Sequence, residues 1–294
     1  MTDIGEIVPV LRDVDPATTE MLAVAVGAAQ TAGEIVRDNY AVHHAITEKG
    51  LGDLVCEVDV KCDRAIQAAI LEHDPQATIL SEELSPDIGQ ATTFWVEDPL
   101  DGSAAFLFGV AREMPSNMVA HRSGGETDLA VINFPLTNEI FWAVRGVGAF
   151  KGVSFGPERL LCEQPERLGE AWVEMNRNSD QRLQAPAFTR LDGLLRLPGG
   201  ARLVTSTVPH SGLAARMAAG EKRLSAIVHD NNPGRVKQGP WDVIPAALIL
   251  EEAGGAVATL EGARPYDPFQ PEPFVMAASD TILEQLVELA AQAQ

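Results

Sequence analysis

Ahead of Pro75, apolar residues recur at helical spacing. Asp15-Pro16 opens the first such run, an acid placed to cap and a proline suited to a first helical turn. Met21, Leu22, Val24, Ala25, Ala28, Ala29, Ile35 and Val36 then predict one broad apolar helix face. A second helix is predicted over residues 58–73, with Ala65, Ile66, Ala69 and Ile70 turned inward. Beyond Pro75 the pattern shortens. Apolar runs at 77–80, 93–96, 117–120, 129–133 and 140–144, separated by turn residues, read as strands. The segment GVGAFKG closes this half, and Gly146-Val147-Gly148 reads as a turn, because Lys151 stands where a dinucleotide loop needs its third glycine.

The second half mixes element types. Strands are predicted near 171–175, 202–205, 224–228, 256–259 and 274–277, and helices near 180–195, 211–219, 241–253 and 281–291. The alternation lacks a regular βαβ rhythm, so a layered α+β sandwich is expected in preference to a doubly wound sheet. A loose division separates 1–155 from 156–294, the two forming one compact unit.

Composition narrows the function classes. The chain has 294 residues, 46% of them hydrophobic, enough for a full core. Acidic residues outnumber basic ones 42 to 22, a net charge of −20 that repels nucleic acid and anionic membranes and draws divalent cations. Cys56, Cys62 and Cys162 form no CxxC pair and no histidine stands at zinc-ligand spacing, so they are expected to be free, packed thiols. The acidic start MTDIGEIVPVLRDVD lacks a signal-peptide pattern, and a cytoplasmic location is expected.

The chemistry concentrates in Phe94-Trp95-Val96-Glu97-Asp98-Pro99-Leu100-Asp101-Gly102-Ser103. An apolar strand runs into two carboxylates on one sharp turn, and Pro99 interrupts normal pairing between them. With the Leu100 carbonyl they make a compact set of hard oxygen donors suited to magnesium. Gly102-Ser103-Ala104-Ala105 looks like a first helical turn whose free N–H groups could hold a phosphate. Read alone, the same decapeptide is also an Asx-type turn with solvated acids. Leu80-Ser81-Glu82-Glu83 ends another predicted strand, and Trp241-Asp242 opens an apolar helix. Each has its own plain reading, as a solvated strand end and a helix-dipole partner.

Together these segments resemble the inositol monophosphatase and fructose-1,6-bisphosphatase superfamily, the lithium-sensitive phosphatases, with its W-x-x-D-P-[ILV]-D-G-[TS] motif. This chain carries WVEDPLDGS, SEE where the family has GEE, and WDVIPAALILEEAGG. Lys49-Gly50, Asp53-Leu54-Val55 and Asp59 resemble the upstream K-G-x-x-D-x-V-T-x-x-D stretch. The resemblance implies a five-layered αβαβα sandwich, commonly dimeric, so a homodimer is expected. It implies two or three Mg2+ held by Glu82, Asp98, Asp101, Asp242 and the Leu100 carbonyl. Phosphate would rest on the Gly102 and Ser103 amides, and Ser103, oriented by Asp59, would help Glu82 position the attacking water.

Departures cluster around the substrate. T-N-F after the hydroxyl residue becomes Ala104-Ala105-Phe106, and a G-[ST]-A segment becomes Pro209-His210-Ser211-Gly212. The glutamate that grips sugar hydroxyls in inositol-specific members gives way to His229-Asp230-Asn231-Asn232, followed by Arg235 and Lys237. His210, His229, Asp230 and Arg235 are therefore the candidate substrate contacts, the cations suiting a bisphosphate or equally forming a solvated basic loop. The expected partner is a small phosphorylated metabolite: inositol monophosphate, fructose 1,6-bisphosphate, 3'-phosphoadenosine 5'-phosphate or histidinol phosphate. From another class, a catalytically silent metabolite- or partner-binding protein on the same fold is the rival. Asp13-Val14-Asp15 imitates a haloacid-dehalogenase nucleophile loop, but Ala17 stands where that loop needs threonine.

Overall fold

The structure is a computed structural model that describes residues 10–50, 53–85, 87–109, 114–152, 156–162, 167–176, 189–191, 193, 202–206, 212–220, 224–231 and 238–292. Its helices are α1 (Pro16–Asn39), α2 (Glu57–His73), α3 (Ser103–Phe108), α4 (Leu213–Ala218), α5 (Pro240–Glu252) and α6 (Asp280–Ala291). The first-half strands are β1 (Thr47–Gly50), β2 (Asp53–Val55), β3 (Ile79–Ser81), β4 (Thr93–Asp101), β5 (Ser116–Ser123), β6 (Glu126–Phe134), β7 (Glu139–Val144), β8 (Gly148–Lys151) and β9 (Glu158–Arg159). The second half carries β10 (Trp172–Asn176), β11 (Arg202–Ser206), β12 (Leu224–His229), β13 (Ala256–Thr259) and β14 (Phe274–Ala277).

Two sheets organise these elements. A seven-stranded sheet runs in the order β3-β4-β5-β6-β7-β8-β9, and a five-stranded sheet in the order β11-β10-β12-β14-β13. Alternation along the strands sends Trp95, Val119, Val131 and Trp142 to one face of the larger sheet, against α1 and α2. Val96, Met118, Ile132 and Phe141 go to the other face, where α5 lies between the two sheets. Val173, Val228 and Val275 face α6 beyond the smaller sheet, through Ile282 and Leu286. The layers are therefore αβαβα, as expected.

α5 is buried nearly all round, through Val243, Ile244, Ala246, Leu248, Ile249 and Leu250, which suits a middle layer. α1 is capped as its sequence predicts, with the Asp15 carboxylate accepting from the Thr18 N–H at 3.2 Å. Its inward face carries Ala25, Ala28, Ala29, Ala32 and Gly33, small enough for close approach to the sheet. At Gly33 a methyl group would sit 2.3 Å from Asn133 Nδ2, so only glycine fits undisturbed.

Three features depart from the sequence expectations. The β1–β2 hairpin lacks the alternating apolar pattern that would have announced it. The turn read at Gly146-Val147-Gly148 ends one residue sooner, since β8 begins at Gly148 and pairs with β7. β9 then adds to β8, so the larger sheet extends to Arg159. The predicted helix over 180–195 falls mostly outside the described residues.

Candidate functional site

β4 carries the central acids. It is buried from Phe94 onward, and its pairing with β5 shifts register between Asp98 and Asp101. The shift is the physical effect of Pro99, which has no N–H for the ladder. The freed Pro99 carbonyl instead accepts from Asn117 Nδ2 at 2.6 Å. Within the turn, the Leu100 N–H donates to Asp98 Oδ1 at 3.0 Å. Gly102 follows at φ +81°, a left-handed conformation that favours glycine, and caps α3.

Asp242 reaches the same place from the third position of α5, where it accepts from the Gly239 N–H. Asp101 accepts from Ser116 Oγ at 3.3 Å and from the Gly212 N–H at 3.2 Å, which ties α4 to the site. Asp98, Asp101 and Asp242 are all buried, and one carboxylate oxygen of each lies within 4.8 Å of the others. Burial pushes the carboxyl groups of Asp98 and Asp242 well above the usual carboxylate range, and the neighbouring acids, Glu82 included, add to the shift. Packed anions of this kind call for a cation, and their donor set is all oxygen. The residues present therefore fit magnesium.

Glu82 approaches from the loop after β3. Asp63 on α2 holds that loop: its Oδ2 accepts from Ser81 Oγ at 2.8 Å and from the Leu84 N–H at 3.0 Å. Ser81 Oγ in turn accepts from the Ser85 N–H at 3.0 Å. On the far side, Ser103 Oγ stands 2.7 Å from Asp59 Oδ1 and 2.7 Å from the Leu100 carbonyl oxygen. The other Asp59 oxygen accepts from the Cys56 N–H at 2.9 Å, fixing the carboxylate at the start of α2.

The candidate substrate contacts divide. His229, at the end of β12, is 1% exposed and stacks on Phe274, with ring centroids 4.5 Å apart. Asp230 is half-buried and follows it directly. Asn231 Nδ2 then donates to the Gln238 carbonyl at 3.2 Å and the Tyr266 hydroxyl at 2.7 Å, joining this loop to the segment ahead of Asp242. His210, Arg235 and Lys237 lie outside the described residues.

Several supporting residues escaped the sequence reading. Asp63 had one available signal, its place one helical turn after Asp59 on the same face of α2. Ser81, Ser116 and Asn117 had none, because only pairing of β3, β4 and β5 brings them to the turn. Glu97 is fully buried, and burial together with Asp63 pushes its pKa well above the ordinary range.

Comparison with known proteins extends these observations. A sequence model described as the inositol monophosphatase family matches residues 17–294. Escherichia coli Nus factor SuhB is 29% identical over 264 residues, covering 84% of this chain and 87% of that protein. The inositol monophosphatase of Mesembryanthemum crystallinum is 28% identical over 249 residues, covering 81% of this chain and 85% of that one. Among solved structures, the extragenic suppressor protein suhB of Bartonella henselae superposes with a TM-score of 0.79 at 24% identity, covering 94% of this chain and all of that one (100%). The Thermotoga maritima IMPase gives 0.76 at 22% identity, with 93% and 97% covered.

Proposed function

The chain belongs to the inositol monophosphatase family, and from that premise we propose that it hydrolyses a phosphate monoester of a small metabolite with magnesium. The observation that carries this reading is the convergence of Asp98, Asp101 and Asp242, buried and within 4.8 Å of one another, from two separate elements. In the proposal these three, Glu82 and the Leu100 carbonyl hold two or three Mg2+. Bound magnesium would neutralise phosphate charge and lower the pKa of a bound water.

The chain's own groups do the rest. Ser103 Oγ has one proton and two acceptors at 2.7 Å, so it donates to only one of them. A cation held by the Leu100 carbonyl would leave Asp59 as the acceptor of the Ser103 proton. Ser103 then orients the attacking water together with Glu82. The Gly102 and Ser103 amides supply donors for the phosphate oxygens. Direct attack by water, without a covalent phosphoenzyme, is the proposed route.

Substrate choice falls to the loop after β12. His229 and Asp230 are proposed to meet the leaving group, and the sequence offers His210 and Arg235 as further contacts. The net charge of −20 argues against contact with a nucleic-acid backbone.

Phosphate release tests the reading with inositol 1-phosphate, fructose 1,6-bisphosphate, 3'-phosphoadenosine 5'-phosphate and histidinol phosphate, with and without magnesium. Release that needs magnesium and disappears in Asp101→Asn is expected. No release above that variant, combined with thermal stabilisation by one of these compounds, would replace the enzyme with a metabolite-binding protein.

A further inference from the structure

A second group of metal-ligand side chains meets where the segment after α1 returns to the start of α2. Ligand atoms of His44, Cys56 and Glu57 all lie within 4.8 Å of one another. His44 and Cys56 are buried, at 7% and 4% exposure, while Glu57 opens to solvent and leaves a route in.

The histidine's proton can be placed from its partners. Nε2 lies 2.8 Å from the Asn39 carbonyl oxygen, which can only accept, so Nε2 carries a hydrogen. Nδ1 lies 3.0 Å from Glu57 Oε1, a second acceptor. A ring nitrogen and a carboxylate meeting head-on need a cation between them, either another proton or a metal ion. Cys56 Sγ beside them supplies a third donor of softer character. An imidazole that gives its remote N–H to a backbone carbonyl has the orientation of a metal-bound histidine.

We propose that His44, Cys56 and Glu57 form a site for one zinc-class divalent ion, separate from the carboxylate cluster, with water as the fourth ligand. The imidazole, thiolate and carboxylate set suits zinc and disfavours magnesium, whose ligands are oxygens. The sequence conceals the site, because twelve positions part His44 from Cys56 and no zinc-ligand spacing results. Cys56 also stands where the upstream family stretch has threonine.

The ion competes with protons. Burial and the Asp59 carboxylate push the Cys56 thiol up to about 12, and the Glu57 hydrogen bond raises the His44 pKa. Among the described residues, the charged groups facing the cluster are Asp59 and Lys61, both from α2, with the uncharged Phe106 ring of α3 packed 5.4 Å from the His44 ring. Binding therefore displaces the thiol proton, and occupancy rises with pH. It also has a consequence nearby. The same thiol donates to Asp59 Oδ2 at 3.1 Å, and Asp59 Oδ1 meets Ser103 Oγ at 2.7 Å. An ion on Cys56 withdraws one of the donors that hold Asp59.

Cobalt(II) reports on this site without relying on turnover, since thiolate-to-cobalt charge transfer absorbs in the near ultraviolet and carboxylate-bound cobalt does not. Titrating the reduced full chain, with excess magnesium filling the carboxylate cluster, is expected to raise that band to saturation at one equivalent, and zinc should bleach it. The band should persist in Asp98→Asn, vanish in Cys56→Ser, and need ~10-fold more cobalt in His44→Gln. Serine retains a capping oxygen at the start of α2, so Cys56→Ser is expected to fold. Absence of the band in the unsubstituted chain, or its survival in Cys56→Ser, would overturn the proposal.

Discussion

Asn117→Ala probes how the turn between Asp98 and Asp101 is supported. Asn117 is fully buried, and its side chain sits inside a chain of hydrogen bonds that crosses the larger sheet. Asn133 Nδ2 donates to the Ala29 carbonyl at 2.9 Å and to Asn117 Oδ1 at 3.2 Å, while Asn117 Nδ2 donates to the Pro99 carbonyl at 2.6 Å. Alanine leaves the Pro99 carbonyl without that donor, which costs about 1–3 kcal/mol for a buried acceptor. Asn133 keeps its bond to Ala29 and loses only one partner, so its share is ~1 kcal/mol or less. The small cavity left behind brings the expected loss to about 2–4 kcal/mol. Urea unfolding of the metal-free protein reads this as a midpoint drop of roughly 1 M at unchanged slope. Turnover should fall ~10-fold with little change in KM, because the turn is displaced while the substrate loop is untouched. A midpoint within ~0.2 M of the parent would refute the reasoning, since the Pro99 carbonyl would then need no partner. Asn117→Asp adds a sign test. Only its neutral carboxyl can donate to Pro99, so its folded pKa is raised, and its stability should fall as pH rises.

Other substitutions bear on the site and its surroundings. Ser103→Ala should lose about 10^2-fold in turnover while Ser103→Thr retains most of it; equal losses would remove the hydroxyl from the mechanism. Asp98 and Asp242 have raised pKa values, so the folded metal-free chain holds protons that the unfolded chain has released. Its melting temperature in chelator should therefore fall as pH climbs above the ordinary carboxylate range, more gently in Asp98→Asn, and identical slopes would contradict this. Glu139 is the opposite case. Although burial opposes its ionisation, hydrogen bonds from Lys151, Thr137 and Arg216 hold it at about 2. Its stabilisation is complete above the ordinary carboxylate range and is lost as pH falls toward that value. Glu139→Gln should cost about 2 kcal/mol near neutrality, discounted for partial exposure, by removing the carboxylate that pairs with the buried Arg216. Denaturant melts at two pH values would expose the claim if that cost did not shrink in acid.

Local chemistry made much of this protein legible in one dimension. Asp15-Pro16 ahead of a helical apolar stripe reads as a cap, and the strands over 256–259 and 274–277 announce themselves as apolar runs between turn signals. The decapeptide ending in Gly102-Ser103 reads as a turn of ligands because proline breaks a ladder and glycine accepts a positive φ, both properties of the residue itself. What tertiary structure alone decided are meetings between residues far apart in sequence. Asp242 comes to Asp98 because α5 is threaded between two sheets, and no spacing rule encodes that layer. The Asn133–Asn117–Pro99 chain exists because strand register sets those amides side by side. His44, Cys56 and Glu57 join because the segment after α1 turns back to the start of α2. Period and propensity act over a few residues, whereas a buried carboxylate or amide is specified by whatever packing brings against it.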